Sequence, residues 1–300
     1  RIDQRSDERS VQDGDDDFSF SVPGGGRFRC NAFKQRNSMA MVLRIVSFSL
    51  PDPAALSIPE SVVQLTDTQK GLILVTGPAG SGKSTTLACL IDRINRTRRD
   101  HIITIEDPIE FIHPHKLSIV SQREIEHDTQ NYATALRAAL RQAPDVILLG
   151  EMRDFTTIQT ALTAAETGQL VLSTLHTVGA AKTIDRIIDV FPASQQQQIR
   201  VQLSMVLKAV VSQQLVPDVD GGREPAFEIL KVTPAIQNMI RESKVHQMDN
   251  VIFSGQDVGM RSMDGDLLRL CQAGRISPAN ALMYAVNPEL MAKRLREAQL

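Results

Sequence analysis

A run of nine residues from Gly77 to Thr85, GPAGSGKST, fills every fixed position of the pattern G-x-x-x-x-G-K-[ST]. The apolar run Gly71–Thr76 before it predicts a buried strand, and the residues from Thr85 onward predict a helix. In that context the glycines let backbone N–H groups wrap a polyphosphate at a helix N-terminus. The alternative is a glycine-rich turn that binds nothing, but the complete pattern and its context both favour a site for a nucleoside triphosphate.

The side chains of this loop predict how ATP and Mg²⁺ are held. Lys83 is expected to reach the β- and γ-phosphates, and the Ser84 hydroxyl is expected to ligate Mg²⁺. The expected nucleotide contacts are Gly77, Gly80, Ser81, Gly82, Lys83, Ser84 and Thr85.

The elements that must position this loop show a regular alternation. Four strand-like runs alternate with stretches of helical spacing, and these runs are Gly71–Thr76, His101–Ile105, Val146–Leu149 and Leu170–Ser173. Such alternation predicts an α/β fold with a parallel sheet covered on both faces. Ligands of these folds bind beyond the carboxyl ends of the strands.

Polar residues follow each of these four runs. The first run leads into the loop, and the others are followed by Glu106–Glu110, Gly150–Asp154 and Thr174–Thr177. If the strands are parallel neighbours, these segments converge on one crevice, which supports an active site there.

The carboxylates in these segments suggest two roles in hydrolysis. Glu151 is the candidate for the Mg²⁺ side, whereas Asp145 precedes its strand and lies about 20 Å away, at about 3.3 Å per residue. Asp145 is therefore expected to serve as a capping or turn residue. Glu106, Asp107 and Glu110 are all candidates for the general base, and the pattern alone does not choose among them. The alternative is a solvated acidic turn. His176 suits either hydrogen bonding to the γ-phosphate or a structural role.

Composition limits the remaining classes of function. The chain has 300 residues, a net charge of −2 and three cysteines that are far apart in sequence. That charge gives no general attraction to nucleic acid, and the cysteine spacing indicates neither a disulfide framework nor a zinc site. No apolar run has the length of a membrane span. These features predict a cytoplasmic protein that reaches a membrane only through a partner.

The chain is expected to contain three regions. Residues 1–57 hold strand-like runs at Phe18–Val22, Arg27–Ala32 and Met41–Phe48, with a turn at Pro23–Gly26, and we expect this domain to lack its opening. Residues 58–216 form the nucleotide-binding core and end in a predicted long helix over about 194–216. Residues 217–300 are predicted to be mainly helical, with a strand at Phe227–Leu230.

Four motifs together resemble the type IV pilus retraction ATPases of the type II/IV secretion ATPase superfamily. They are GPAGSGKST, TIEDPIEF at Thr104–Phe111, VILLGEMRD at Val146–Asp154 and TGQLVLSTLHT at Thr167–Thr177. The resemblance runs from about Asp17 to the C-terminus. It implies a RecA-like P-loop core preceded by a partial PAS-like α/β domain.

The resemblance also implies roles for particular residues. Glu110 resembles the catalytic base, Glu151 the metal-site carboxylate and His176 the histidine of the fourth motif. Arg29 and Arg44 match arginines that the N-terminal domain supplies to the nucleotide, although from the residues alone they are equally well strand-surface cations. Extension and type II secretion ATPases carry a four-cysteine zinc insertion, and this chain has only Cys271 in that region.

The function implied is a hexameric ATPase ring whose ATP sites lie between two domains. Its motion would pass to an inner-membrane pilus platform protein and act indirectly on pilin, with no zinc and no nucleic acid expected. The alternatives are an extension-type ATPase, a hydrolysis-poor structural paralogue of the motor ring and a nucleic-acid translocase.

Overall fold

The structure is a computed structural model that describes residues 14–22, 26–46, 50 and 52–299. It divides into two compact units. One contains Ile109–Pro114 and the described part of Arg1–Leu50, and the other contains Pro51–Pro108 and His115–Leu300 as far as they are described. Most of the predicted turn at Pro23–Gly26 and the last residues of the predicted strand Met41–Phe48 lie outside the described residues. The predicted domain boundaries stay a prediction.

The first unit contains a three-stranded antiparallel sheet. Its strands are β1 (Asp15–Val22), β2 (Gly26–Gln35) and β3 (Ser38–Val46), in the order β1-β2-β3. The two residues between β2 and β3, Arg36 and Asn37, both have positive φ, at 46° and 62°. Two successive positive φ angles are typical of the tight turn that matches the twist of a hairpin. The three predicted strands are confirmed within the described residues.

The second unit is built on a seven-stranded sheet with the order β10-β9-β4-β8-β7-β5-β6. All neighbouring strands are parallel except β9 and β10. The strands are β4 (Gly71–Thr76), β5 (His101–Glu106), β6 (Ile119–Glu124), β7 (Val146–Leu149), β8 (Leu170–Leu175), β9 (Leu207–Pro217) and β10 (Arg223–Lys231).

Helices cover both faces of this sheet. In chain order the α-helices within the described residues are α1 (Glu60–Val63), α2 (Lys83–Thr97), α3 (Tyr132–Ala139), α4 (Phe155–Thr167), α5 (Ala180–Asp189), α6 (Ala193–Val206), α7 (Pro234–Arg241), α8 (Met248–Ser254), α9 (Met263–Gln272), α10 (Pro278–Tyr284) and α11 (Pro288–Glu297). Within the described residues, none of these helices is long and apolar enough to cross a membrane.

The central strands are buried on both faces, which explains their nearly continuous apolar sequences. All six residues of β4 and all six of β8 are buried. Successive side chains of a strand point to opposite faces, so Leu72 and Leu74 join one apolar cluster while Ile73 and Val75 join another. The predicted α/β fold with a parallel, doubly covered sheet is confirmed.

The predicted helix over about 194–216 is wrong in its second half. Helix α6 ends at Val206, and strand β9 begins at Leu207. The residues Val210 and Val211 are fully buried, and β-branched side chains fit a strand that packs on both faces better than a helix. Pairing with β4 on one side and β10 on the other satisfies the backbone of β9. Strand β6 was not predicted either.

The C-terminal region matches its prediction more closely. Strand β10 contains the predicted strand Phe227–Leu230, and helices α7 to α11 make the rest of this region mainly helical, as predicted. The buried Asp266 of α9 joins this region to the sheet. Its carboxylate accepts hydrogen bonds from the Phe227 backbone N–H and from two arginine side chains.

Candidate nucleotide-binding site

The glycine-rich loop connects the end of β4 to the start of α2, as predicted. Gly77, Gly80 and Gly82 all have positive φ, at 142°, 73° and 89°, a region that L side chains rarely adopt. A Cβ added at Gly77 would lie 2.1 Å from the backbone oxygen of Gln213, and one added at Gly82 would lie 2.8 Å from Gln213 Nε2. At Gly77 the loop therefore approaches the β9 backbone too closely for a side chain, and at Gly82 a side chain would displace the Gln213 amide and adopt a strained backbone conformation.

The N-terminus of α2 is open to an anion. The helix has 15 residues, its N-cap is Gly82, and no side chain among the described residues caps it. The free N–H groups and the positive end of the helix dipole both favour a phosphate. The Ser81 Oγ is buried and has no hydrogen-bond partner among the described residues. A polyphosphate fits this loop because it would satisfy both kinds of donor.

Lys83 lies against the loop that it follows. It is 8% exposed, and its Nζ donates to the carbonyl oxygens of Gly77 and Pro78 at 3.0 and 2.8 Å. A lysine ammonium is almost never buried unless it is paired, so these bonds hold the charge beside the backbone that would wrap the phosphates. Ser84, the next residue, is exposed, and its hydroxyl is available to a metal ion.

A cavity of about 310 Å³ lies beside the first turns of α2. Gly82, Thr85 and Thr86 are among the residues that line it. Apolar side chains line another part of it, and these are Leu56, Ile58, Leu215 and Pro225. Charged residues line it as well, and these are Asp218, Arg223, Glu224 and Arg275. A pocket that combines apolar and polar groups can hold a small organic molecule. Its place next to the phosphate loop suits the nucleoside part of a nucleotide.

Glu151 and His176 lie together at the same edge of the sheet. Strand β8 lies between β4 and β7, so the segments after all three strands converge as predicted. The Glu151 Oε2 is 2.7 Å from Arg153 Nε and 3.5 Å from His176 Nε2, and the Glu151 side chain is only 17% exposed. Asp145 is at the opposite edge, where its Oδ2 accepts from the His101 backbone N–H at 2.8 Å. Its predicted turn role fits this contact.

The turn that carries Glu151 is tightly packed. A Cβ added at Gly150 would lie 2.9 Å from the Tyr132 hydroxyl oxygen and 3.3 Å from the Ile105 backbone oxygen. Burial, and then the charge of Glu151, raises the pKa of Tyr132, so this phenol stays neutral. The Thr174 hydroxyl donates to the Gly150 backbone oxygen at 2.5 Å. The backbone before Glu151 is thus fixed from both neighbouring strands.

We expect Gly150→Ala to destabilise the protein, because the new methyl group would overlap the Tyr132 hydroxyl. Overpacking of this kind costs about 1–3 kcal/mol, which urea unfolding measures. The Tyr132→Phe change removes the overlapping oxygen, so adding it to Gly150→Ala should recover part of the lost free energy of unfolding. Equal stability of the wild-type protein and Gly150→Ala would show that the turn tolerates a side chain.

Two of the three candidate bases, Glu106 and Asp107, belong to the second unit, which contains the phosphate loop. The Glu106 Oε1 accepts hydrogen bonds from the Thr104 hydroxyl at 2.7 Å and from Gln122 Nε2 at 3.3 Å. This pairing gives Glu106 a structural role next to β6. Asp107 follows it and is exposed.

The third candidate base, Glu110, and the two candidate arginines, Arg29 and Arg44, belong to the first unit. Glu110 is exposed within Ile109–Pro114. Arg29 and Arg44 are direct cross-strand partners on β2 and β3, so their side chains lie on one face of that sheet. Within the described residues neither guanidinium has a carboxylate partner. Like charges directly opposite each other are destabilising, and a bound anion would relieve this repulsion.

The sequence reasoning missed Gln213 because it placed this residue in a helix. In the structure Gln213 lies on β9, is 3% exposed and contacts both ends of the phosphate loop. The motif gave no signal for it, since Gln213 is 127 residues from Thr86, whose hydroxyl donates to Gln213 Oε1 at 2.7 Å.

The hairpin formed by β9 and β10 also contacts the segment after His176. The Ser212 Oγ accepts from the Gly179 N–H at 2.9 Å, and the Glu228 Oε1 accepts from the Ala180 N–H at 2.8 Å. Burial raises the pKa of Glu228, while hydrogen bonds from the backbone of Ala180 and Met263 oppose that rise. Strands β9 and β10 thus contact both the phosphate loop and the start of α5.

The fold and the loop define a P-loop nucleoside triphosphatase, and comparison with known proteins places it further. The sequence model of the family of type II/IV secretion system proteins matches residues 6–258 of this chain. The chain belongs to this family.

Individual relatives agree with that assignment. The type IV pilus retraction ATPase PilT of Pseudomonas aeruginosa is 51% identical over 273 residues, which cover 91% of this chain and 79% of that protein. A twitching motility protein of Neisseria gonorrhoeae is 50% identical over 277 residues, which cover 92% of this chain and 74% of that protein. A crystal structure of the pilus retraction motor PilT with bound ADP has a TM-score of 0.92 and 47% identity, covering 97% of this chain and 83% of the other.

These comparisons confirm the predicted resemblance to the pilus retraction ATPases and the prediction that the chain is an ATPase. They support nucleotide binding, because the similar structure holds ADP.

Proposed function

We propose that this chain is an ATP-driven motor subunit that retracts type IV pili. The observation that carries the proposal is the convergence of the phosphate loop, Glu151 and His176 at one edge of a RecA-like sheet. The chain is identical to PilT and to a twitching motility protein at about half of the aligned positions, and we assign pilus retraction on the basis of this similarity.

ATP and Mg²⁺ are assigned to the phosphate loop, the neighbouring cavity and Glu151. The phosphates bind the loop N–H groups and Lys83, and the nucleoside occupies the cavity beside Thr85. Ser84 and Glu151 hold Mg²⁺, Glu151 directly or through a water molecule. When bound, Mg²⁺ neutralises charge on the phosphate oxygens.

The hydrolytic roles are assigned by the chemistry of the side chains. Glu110 is assigned as the general base that takes a proton from the attacking water. His176 is assigned to hydrogen bonding with the γ-phosphate, and its contact with Glu151 holds the imidazole at the sheet edge. Arg29 and Arg44 are assigned to stabilising the charge on the transferring phosphoryl group, a role that suits guanidinium groups without a carboxylate partner among the described residues.

The assembly and its partners follow from the same proposal. The chain works as a hexameric ring in the cytoplasm, and it reaches the inner membrane through a pilus platform protein. ATP hydrolysis moves that partner, which withdraws pilin from the fibre, so the action on pilin is indirect. The net charge of −2 gives no electrostatic support to a nucleic-acid translocase.

Complementation of twitching tests this proposal. The chain is expressed in a twitching strain whose own retraction ATPase gene is deleted, beside the Lys83→Ala variant as the matched control. We expect the wild-type chain to restore movement at the colony edge and the variant to fail at equal protein level. Wild-type chain that hydrolyses ATP in vitro but does not restore twitching would point to an extension or secretion motor. Chain that binds ATP without hydrolysing it would point to a structural paralogue.

A further inference from the structure

The side chain of Gln213 lies between the phosphate loop and the neighbouring cavity. Its backbone oxygen lies against Gly77, and its Nε2 lies against Gly82, so the residue contacts the loop near both of its ends. It also lines the cavity of about 310 Å³ together with Thr85 and Thr86.

The amide is held in one orientation. The Thr86 hydroxyl donates to Gln213 Oε1 at 2.7 Å, which occupies the acceptor end of the amide. The donor end, Nε2, has no hydrogen-bond partner among the described residues. A glutamine amide carries two N–H donors, and in a residue that is 3% exposed and lines the cavity these donors are available to a ligand bound there.

We propose that the Gln213 amide is a nucleotide-binding group, whose Nε2 donates to a phosphate oxygen of the nucleotide bound at the loop. The proposal rests on the proposed nucleotide binding and adds a ligand contact from β9, outside the phosphate-loop motif. Three features support it: no hydrogen bond to Nε2 is present among the described residues, Gln213 lines the cavity, and Nε2 lies beside Gly82 at the N-terminus of α2, where an anion is favoured. A hydrogen bond to a charged oxygen is stronger than one to a neutral group.

Calorimetric titration of the full chain with ADP and with inorganic pyrophosphate, each with Mg²⁺, tests this assignment. The Gln213→Met variant keeps the length of the side chain and loses both donors. We expect its dissociation constants for ADP and for pyrophosphate to rise by about tenfold or more, the scale of a lost hydrogen bond to a charged group. Unchanged binding of both ligands by a folded Gln213→Met variant would overturn the proposal. So would a loss confined to ADP, because the contact would then be with the nucleoside.

The Gln213→Glu variant separates ligand contact from support of the loop. Its carboxylate still accepts the Thr86 hydrogen bond but offers no donor and repels phosphate. At about pH 7.5 we expect weaker binding than for Gln213→Met. As the pH falls to about 5.5, the carboxyl group becomes protonated and can donate again, and burial favours that neutral form. The affinity relative to wild-type protein at the same pH should then recover. A group that only supports the loop would show no such pH dependence.

Gln198→Glu, on the exposed surface of α6, makes the same change of charge and should bind ADP as the wild-type protein does. Circular dichroism and thermal unfolding without ligand confirm that each variant is folded. Wild-type protein that bound neither ligand would overturn the nucleotide-binding function itself. Normal wild-type binding with normal binding by both Gln213 variants would overturn only the role of Gln213.

Discussion

Lys83→Ala is expected to abolish productive nucleotide binding. The change removes the one ammonium group that the loop holds against its own backbone, at the carbonyl oxygens of Gly77 and Pro78. Without it, the negative charge of the β- and γ-phosphates would be balanced only by N–H groups and Mg²⁺. We expect no measurable ATP hydrolysis and a loss of ADP binding beyond the range of calorimetry.

A second lysine variant controls for the loss of charge. Lys182 is exposed on α5, and Lys182→Ala should bind ADP and hydrolyse ATP as the wild-type protein does. Circular dichroism should show that Lys83→Ala is folded. A folded Lys83→Ala variant with wild-type affinity for ADP would contradict the assignment of the loop.

Glu110→Gln is expected to separate binding from hydrolysis. The amide is close in size to the carboxylate but cannot accept a proton, so ADP binding should persist while kcat falls. Loss of a general base typically costs a factor of about 10² to 10⁴. Single-turnover hydrolysis, measured with protein in excess over ATP, reports the chemical step without product release.

Neighbouring carboxylates make this test specific. Glu289→Gln, on the exposed first turn of α11, is a matched change that should leave kcat unaltered. If Glu106→Gln or Asp107→Asn reduced kcat by the larger factor while Glu110→Gln did not, the base would be one of those residues. The hydrogen bonds that Glu106 accepts from Thr104 and Gln122 argue against that result.

The features that the sequence predicted well depend on local pattern. The phosphate loop is contiguous, and β4, β7 and β8 are apolar runs that the parallel sheet buries on both faces. Strand length alone separated Glu151 from Asp145, because the two residues lie at opposite ends of β7. The sequence did not predict strand β9, because its burial depends on pairing with β4, which is distant in the chain, and with β10.

The same reason explains what the sequence could not supply at the site. The Thr86–Gln213 hydrogen bond joins residues 127 positions apart, and it exists only because β9 pairs with β4. The contacts of Ser212 and Glu228 with the start of α5 also depend on this hairpin. By contrast, Arg29 and Arg44 were chosen by resemblance, and in the structure they are direct cross-strand partners. Their role in hydrolysis remains a prediction.

The most direct test of an assembling ATPase is Mg²⁺-dependent phosphate release per subunit, measured across a dilution series of the chain. If the nucleotide sites work only in a ring, specific activity should rise with protein concentration and level off where light scattering reports the hexamer. Chelation of Mg²⁺ should abolish it. Specific activity that stayed constant while the protein dissociated to monomers would contradict the ring, and absence of phosphate release at every concentration would contradict the ATPase itself.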